Sequence, residues 1–322
     1  MTTIGVLGGT GAVGRVAADR LASWDAGTIR VGSRSAGVDL NDDAALRKFC
    51  AGCDVVVNCA GPSYRVLDRV ARVALDEGAG YVDAAGCDID AAGGVAVHGA
   101  GVMPGLSGLL PRVLAQDGPL TRLDIYIGGA AALGPVAAMD VLLTRGPRFG
   151  VPLAVWRHGD VVPGAGRPAR AVSLPGFPGR VHAWPYLSAE AARLAAELGV
   201  DELRNHTVYG GEALPRALAE AWADEGEPGE RQVAAVVAAA EADLAEAGPS
   251  YTMLFQAVPS RRLVVRTEDP NGLSGVVAAA AALDVLAGRV PPGAHAAADV
   301  MDAARTLALL REDPLITAIE RS

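Results

Sequence analysis

The feature that most constrains this chain is a glycine-rich stretch close to its start. A short apolar run, Ile4–Leu7, leads directly into Gly8-Gly9-Thr10-Gly11-Ala12-Val13-Gly14, after which apolar residues recur at helical spacing. In a strand–turn–helix unit of this spacing, Gly9 turns the chain off the strand, Gly11 lets an anion reach the backbone, and Gly14 lets the helix pack closely. The stretch predicts a site for the pyrophosphate of a dinucleotide. The alternative is a glycine-rich turn of some other α/β fold.

The end of the second predicted strand distinguishes between the two nicotinamide dinucleotides. A strand over Thr28–Gly32 is followed by Ser33 and Arg34, and the first carboxylate is Asp39. An NAD site places Asp or Glu at this strand end to bind the ribose 2′-hydroxyl, whereas arginine matches a 2′-phosphate in charge and geometry. The sequence therefore predicts NADP(H) as the cofactor. The alternative for Arg34 is a solvated loop arginine.

Further strands alternate with helical segments along the first part of the chain. The spacing predicts a doubly wound parallel sheet, a Rossmann-type α/β fold, because a parallel strand follows each crossover helix. In such sheets ligands bind at the carboxyl ends of the strands. The expected strands after the second are Asp54–Asn58, Gly80–Asp83, Gly94–His98 and Thr121–Ile127.

Three side chains near these strand ends are candidates for handling a proton. Tyr64 follows the small-residue loop Cys59–Pro62, which suits the approach of a flat ring. Tyr64 could stack on the cofactor, donate a proton or pack. Asp83 could face the ligand or cap the next turn, and the two readings are left open. His98 is the third candidate.

Charge and hydropathy exclude several other classes of protein. The formal net charge of −9 argues against nucleic acid as a partner, because phosphate binding requires a basic surface. No uncharged apolar run is long enough to span a bilayer, so we expect no membrane partner. The chain enters its first strand without a signal peptide, which predicts a cytoplasmic protein.

The four cysteines are Cys50, Cys53, Cys59 and Cys87. Cys50-x-x-Cys53 has no second ligand pair nearby, whereas a zinc site needs three or four ligands. We interpret the pair as small buried residues near a helix end and expect no metal.

From about Gly128 the composition shifts to Ala, Gly, Pro and Arg, and the strand–helix alternation is lost. This predicts a second, α+β domain that binds substrate. The expected organisation is a dinucleotide-binding domain over 1–127, a substrate or dimerisation domain over 128–268, and C-terminal helices over 269–322 that return to the first domain. The candidate polar residues of the second domain are, in sequence order, Arg145, Arg148, Arg157, His158, His182 and His206.

Four short segments resemble the saccharopine dehydrogenase-like NADP-dependent reductases, a group that is also similar to the trans-acting enoyl reductases. They lie within about the first 120 residues: Val6–Gly11, Asn58–Pro62, Tyr81–Asp83 followed by Gly86, and Gly101–Ser107. The resemblance implies a Rossmann domain joined to an α+β catalytic domain, often dimeric, that reduces C=N or sometimes C=C or C=O bonds. The chain departs from the family at Ser63, where phenylalanine is common, and at Cys87, where glutamate is common.

These observations predict an NADPH-dependent reductase acting on the C=N bond of a small molecule. The alternatives are reduction of a C=C bond in a carrier-bound substrate, and an NADP-sensing regulator without turnover. We expect a homodimer. The predicted proton-handling residues are Asp83, Tyr64 and His98, and the predicted cofactor-binding residues are Gly8, Gly9, Thr10, Gly11, Ala12, Val13, Ser33, Arg34, Asn58, Cys59, Ala60, Gly61, Tyr64 and Gly86.

Overall fold

The computed structural model describes residues 1–86, 89–91, 93–224 and 226–322. Cys87, one of the two departures from the family pattern, lies outside these ranges. The chain forms two compact units. The first comprises Met1–Leu109 and Pro270–Thr306, and the second comprises Leu110–Asp269 and Leu307–Ser322. Within the described residues, no helix is both long and apolar enough to cross a bilayer.

The strands are numbered along the chain. They are β1 Thr3–Leu7, β2 Thr28–Gly32, β3 Val55–Asn58, β4 Gly80–Asp83, β5 Val95–His98, β6 Arg122–Ala130, β7 Gly150–Pro152, β8 Val155–Arg157, β9 Asp160–Val162, β10 Ala169–Val172, β11 Val181–Ser188, β12 Glu202–Tyr209, β13 Ser250–Val258, β14 Arg261–Thr267, β15 Gly293–Ala296 and β16 Ile316–Arg321.

The helices are numbered in the same way. They are α1 Ala12–Ser23, α2 Asp43–Cys50, α3 Ser63–Val66, α4 Arg69–Asp76, α5 Leu106–Leu109, α6 Pro111–Ala115, α7 Pro135–Leu143, α8 Ala189–Leu198, α9 Ala213–Ala223, α10 Glu230–Ala247, α11 Pro270–Leu286, α12 Ala297–Val300 and α13 Ala303–Glu312. A 3-10 turn covers Arg34–Ala36.

The first unit is built on a parallel six-stranded sheet with the order β15-β5-β4-β3-β1-β2. Residues of β3 are all buried, as expected for a strand that is covered on both faces. One face packs on α2 and α4, whose Leu46, Phe49 and Val70 share a core with Val56 and Tyr81. Helices α1 and α11 pack beside each other, and α11 also packs on β3 and β4. The predicted Rossmann-type sheet is confirmed.

Two strand assignments differ from the sequence prediction. The strand expected at Thr121–Ile127 exists as β6 but belongs to the second sheet, between β12 and β13. The sixth strand of the first sheet is instead β15, which runs parallel to β5. A local pattern indicates that a strand forms, but pairing with a distant segment decides which sheet receives it.

The second unit contains a mixed sheet of ten strands with the main order β10-β11-β12-β6-β13-β14-β16. Strands β12 and β6 run parallel, and the other pairs along this path are antiparallel. Helices α7, α9 and α10 contribute one apolar core, centred on residues such as Leu142, Leu218 and Val236. This α+β architecture agrees with the expectation for the second half of the chain.

Two helical predictions are corrected in detail. The helical segment that the alternation predicts between the strands Asp54–Asn58 and Gly80–Asp83 is divided into α3 and α4, because Leu67 adopts a left-handed φ of 52°. The C-terminal region, predicted as helices over 269–322, also contains two strands, β15 and β16, and β16 pairs with β14.

Candidate functional site

The glycine-rich loop between β1 and α1 is fixed by close backbone contacts. The sharp turn is made by Gly8, which has a φ of +71°, and not by Gly9 as the spacing suggested. A Cβ on Gly8 would lie 2.7 Å from the backbone of Cys59 and Ala60, and one on Gly14 would lie 2.3 Å from the Gly8 carbonyl oxygen. Glycine is therefore required at both positions for packing. A Cβ on Gly9 would meet Val31 Cγ1 at 2.6 Å.

Gly11 differs from the other loop glycines because its surroundings are less crowded. A Cβ there would approach a single atom, the Gly8 carbonyl oxygen, at 3.2 Å. Gly11 is the N-cap of α1, has extended backbone and contributes no side-chain cap. The first helical hydrogen bond runs from Arg15 N to Gly11 O, at 3.0 Å. The amides of Ala12 and Val13 therefore precede the helical ladder and are available to an anion.

Ser33 and Arg34 lie directly after β2 with different exposures. The buried Ser33 hydroxyl accepts a hydrogen bond from Ala36 N at 3.2 Å and lies 2.8 Å from Ser35 Oγ. Arg34 is exposed in the 3-10 turn, and its guanidinium has no ion-pair partner among the described residues. The nearest carboxylate in sequence, Asp39, accepts hydrogen bonds from Asn41. The strand end thus presents an available cation, as a 2′-phosphate requires.

Asn58 and Asp83 meet at the carboxyl ends of the adjacent strands β3 and β4. Asn58 Nδ2 donates to Asp83 Oδ2 at 3.1 Å, and Ala60 N donates to Asn58 Oδ1 at 3.1 Å. The Tyr81 hydroxyl donates to Asp83 Oδ2 at 2.7 Å, and Ala85 N donates to Asp83 Oδ1 at 2.8 Å. We call these five residues the strand-end network. Asp83 therefore caps the turn after β4, which is one of the two readings the sequence left open.

The network is buried, and the burial affects two titratable groups. Asp83 is 3% exposed and Asn58 is 1% exposed. Burial raises the pKa of Asp83, while its hydrogen bonds from Tyr81, Ala85 and Asn58 act in the opposite direction. Burial, and then the charge of Asp83, raise the pKa of the Cys59 thiol. Cys59 is accordingly a neutral thiol at physiological pH and not an activated nucleophile.

The remaining candidates lie in loops at the same edge of the first sheet. Cys59, Ala60 and Gly61 follow β3, and Tyr64 is half-buried in α3. Gly86 follows β4, where a Cβ would meet Pro104 at 3.7 Å. His98 ends β5 and is half-buried.

The glycine-rich loop after β5 is tied to the strand-end network through the backbone. Ala100 N donates to Asp83 O at 2.9 Å, and Gly99 N donates to Ala85 O. Gly105 has a φ of +125°, and a Cβ there would overlap the Gly101 carbonyl oxygen at 2.2 Å. The loops after β3, β4 and β5 are thus one hydrogen-bonded assembly. The sequence identified each loop, but it gave no sign that Tyr81 joins them.

Helix α1, which carries the glycine-rich loop, is positioned from behind by α11. A Cβ on Gly275 would lie 2.3 Å from the Val13 carbonyl oxygen and 2.9 Å from Ala17 N. Glycine at this point allows the two helix backbones to approach closely. The orientation of the α1 N-terminus therefore depends on a residue about 260 positions later in the chain.

The polar candidates of the second unit are dispersed. His206 is buried, stacks on Tyr126 with ring centroids 4.4 Å apart, and has Nδ1 3.2 Å from Ile125 O. Burial lowers the pKa of His206 to about 4, so the ring is neutral. His182 Nδ1 lies 3.8 Å from Glu212 Oε1, and His158 is exposed at a left-handed φ of 49°.

The arginines of the same unit serve the fold. Arg145 donates to the carbonyl oxygens of Ala221 and Asp224 at the end of α9, and Arg157 pairs with Glu202. Arg148 lies over the ring of Phe149, 4.4 Å from its centroid. No group of three or more His, Cys, Asp or Glu residues in the described ranges could hold a metal ion. Cys50 and Cys53 are buried at the end of α2, as expected.

Comparison with known proteins agrees with this geometry. The model of the NAD dependent epimerase/dehydratase family matches residues 4–73, the part that carries the glycine-rich loop and the Ser33–Arg34 turn. The apo saccharopine dehydrogenase (L-Glu forming) of Saccharomyces cerevisiae matches with 14% identity, complete coverage of both chains (100% each) and a TM-score of 0.60. That likeness shows a shared fold over the whole chain and confirms, at the level of the fold, the resemblance drawn from the sequence.

Two further solved structures match at lower similarity. A putative oxidoreductase from Klebsiella pneumoniae has 12% identity and a TM-score of 0.33, covering 97% of this chain and 99% of its own. A scyllo-inositol dehydrogenase from Lactobacillus casei, with NAD(H) and scyllo-inositol bound, has 12% identity and a TM-score of 0.32, covering 91% and 99%. Curated proteins give no match.

Proposed function

We propose that this protein, which has a saccharopine dehydrogenase-like fold, is an NADPH-dependent oxidoreductase that reduces the C=N bond of a small metabolite. The observation that carries the proposal is the edge of the first sheet, where an open helix N-terminus and an available arginine follow adjacent strands. The space at Gly11 and the cation at Arg34 suit the two phosphate positions of NADP(H). The shared fold with a saccharopine dehydrogenase supports the same class of reaction.

Different residues of the first unit bind different parts of the cofactor. The amides of Ala12 and Val13 bind the pyrophosphate, and Ser33 with Arg34 binds the 2′-phosphate. The small loop Cys59–Gly61, held by Asn58, gives the nicotinamide a flat surface. When bound, the cofactor supplies the hydride, and the protein contributes orientation and the exclusion of water.

The proton that the substrate nitrogen gains comes from a side chain or from the solvent. Tyr64 and His98 are the two half-buried candidates at this edge of the sheet. Asp83 is different, because its two carboxylate oxygens already accept hydrogen bonds from Tyr81, Asn58 and Ala85. We therefore assign any protein-derived proton to Tyr64 or His98.

Turnover assays test the proposal. NADPH oxidation is followed with cyclic imines, with keto acids plus amines, and with enoyl thioesters. We expect turnover with an imine and a preference for NADPH over NADH. Turnover confined to enoyl thioesters would indicate C=C reduction instead. Tight NADP(H) binding without turnover of any substrate would indicate a sensor. The proposed homodimer is tested by sedimentation of the full chain.

A further inference from the structure

We propose that Asp83 is a fixed negative charge that favours the oxidised, positively charged nicotinamide ring over the neutral reduced ring. This role rests on the proposed function, since it requires the nicotinamide to lie against the Cys59–Gly61 loop. It makes Asp83 a positioning and electrostatic residue, distinct from a proton donor.

The hydrogen-bond directions in the strand-end network favour the ionised carboxylate and act against the burial that raises the pKa of Asp83. Ala60 N can only donate, so Asn58 must turn its Oδ1 toward it, and its Nδ2 then donates to Asp83 Oδ2. Ala85 N donates to the other oxygen, Asp83 Oδ1. Both carboxylate oxygens therefore face N–H donors whose direction is fixed by the backbone. The Tyr81 hydroxyl adds a further donor to Oδ2. Such a donor set stabilises the ionised carboxylate.

The charge is linked by hydrogen bonds to the loop assigned to the ring. Two hydrogen bonds of 3.1 Å each, through the Asn58 side chain, connect the carboxylate with Ala60 N. Asp83 belongs to no lysine or arginine ion pair in the described part of the chain. Among the described residues, His98 is the titratable group whose charge acts on Asp83, and it lowers the pKa of that carboxyl. A buried carboxylate that forms no ion pair with lysine or arginine projects its field into the neighbouring loops, because little solvent screens it.

The consequence for the cofactor is electrostatic. Loss of the hydride to the imine carbon breaks one ring C–H bond, forms a C–H bond on the substrate and leaves the ring with a positive charge, while the substrate nitrogen gains the electron pair and a proton. A carboxylate nearby stabilises the ring after transfer more than before it. The protein should therefore bind NADP⁺ more tightly, relative to NADPH, than it would without Asp83.

Binding measurements on the full chain test this without turnover. Dissociation constants for NADP⁺ and NADPH are measured by calorimetry or fluorescence for the native protein and for Asp83→Asn. We expect Asp83→Asn to weaken NADP⁺ binding relative to NADPH by on the order of tenfold. Tyr81→Phe is the matched control, because it removes a hydrogen bond from the network and keeps the charge. Its affinities should change by the same factor for both cofactors.

A second variant covers a failure of Asp83→Asn to fold. Asp83→Asn places two side-chain amide groups in contact, those of residues 58 and 83. The double variant Asn58→Asp, Asp83→Asn restores a hydrogen-bond donor facing an acceptor between the two side chains. It also moves the negative charge one hydrogen bond closer to Ala60. It should shift the preference further toward NADP⁺, by about twofold. Binding of both cofactors with an unchanged affinity ratio in either variant would overturn the inference alone. Binding of neither cofactor by the native protein would overturn the proposed function as well.

Discussion

Gly11 and Gly14 occupy the same turn but are glycine for different reasons. A Cβ on Gly14 would overlap the Gly8 carbonyl oxygen at 2.3 Å, whereas one on Gly11 would approach the same oxygen at 3.2 Å and meet no other atom within 4 Å. Glycine at position 14 is therefore required by the fold, whereas the proposed cofactor site accounts for glycine at position 11. The sequence motif contains both but does not distinguish them, because the distinction depends on contacts across the loop.

A pair of alanine substitutions separates the two roles. Gly11→Ala should leave the melting temperature near the native value and weaken NADPH binding by about 10- to 100-fold, since the new methyl group stands where the phosphate approaches. Gly14→Ala should lower the free energy of unfolding by about 1–3 kcal/mol through overpacking. Thermal unfolding and cofactor titration of both variants check this. Equal destabilisation of the two would contradict the assignment.

His206 gives the second unit a defined pH dependence. Burial lowers its pKa to about 4 from an ordinary value of 6.5. As pH falls below 6.5, the His206 ring binds a proton in the unfolded chain but stays neutral in the folded protein. The folded protein should therefore lose about 2 kcal/mol of stability by pH 5. Denaturant unfolding at pH 7.5 and pH 5 checks this, with His206→Phe as the control that keeps a ring beside Tyr126 and should remove this part of the pH dependence.

At the scale of elements, the local sequence pattern predicted whether a segment forms a helix or a strand, but not always which strands it pairs with. The strand Thr28–Gly32 was predicted at its exact bounds, and the apolar run Ile4–Leu7 forms all but the first residue of β1. Both are short runs bounded by glycine or polar residues. Strand Gly293–Ala296 was missed because its Gly-Ala-His-Ala sequence has little β propensity, and pairing with β5 forms it.

In the candidate site, too, local motifs were predictable from the sequence and distant contacts were not. The glycine-rich loop, Ser33 and Arg34 were visible because each lies in a local sequence motif. The link from Tyr81 through Asp83 to Asn58 was not, because it joins side chains that are 25 residues apart in sequence, across two strands. Similarly, no local signal shows that Gly275 packs against Val13. Such contacts arise from tertiary packing, which a single sequence does not display.

Helix α11 carries a buried carboxylate that pairs with two arginines, and the carboxylate and the arginines can be removed in separate variants. Asp284 is 4% exposed and accepts from Arg289 at 3.0 Å and from Arg305 at 2.6 Å, while both arginines are half-exposed. Replacing both arginines by glutamine leaves a buried unpaired charge and should cost about 3 kcal/mol. Asp284→Asn leaves two solvated cations and should cost about 1–2 kcal/mol.

Chemical denaturation of the two variants checks that order. The exposed pair Arg266–Glu320 provides the control, because Glu320→Gln should change stability by less than about 0.5 kcal/mol. If Asp284→Asn proved the more costly of the two changes, the carboxylate would not be the buried member on which the cluster depends.

At the scale of the whole molecule, the chain forms most of the first unit, then most of the second, and then contributes a further segment to each. Residues Pro270–Thr306 add α11 and β15 to the first unit, and the last residues add β16 to the sheet of the second. Each unit is therefore discontinuous in sequence. The proposed dinucleotide site needs both parts of the first unit, since α11 supports α1 through Gly275.

The central claim is that the first unit binds NADP(H) with its 2′-phosphate on Arg34. Parallel titrations of NADPH and NADH, with the native protein and with Arg34→Ala, test it most directly. We predict that the native protein prefers NADPH, and that Arg34→Ala reduces NADPH affinity by about 10- to 100-fold while NADH affinity stays close to native. Equal affinity of the native protein for the two cofactors, or an equal loss of both in the variant, would contradict the account.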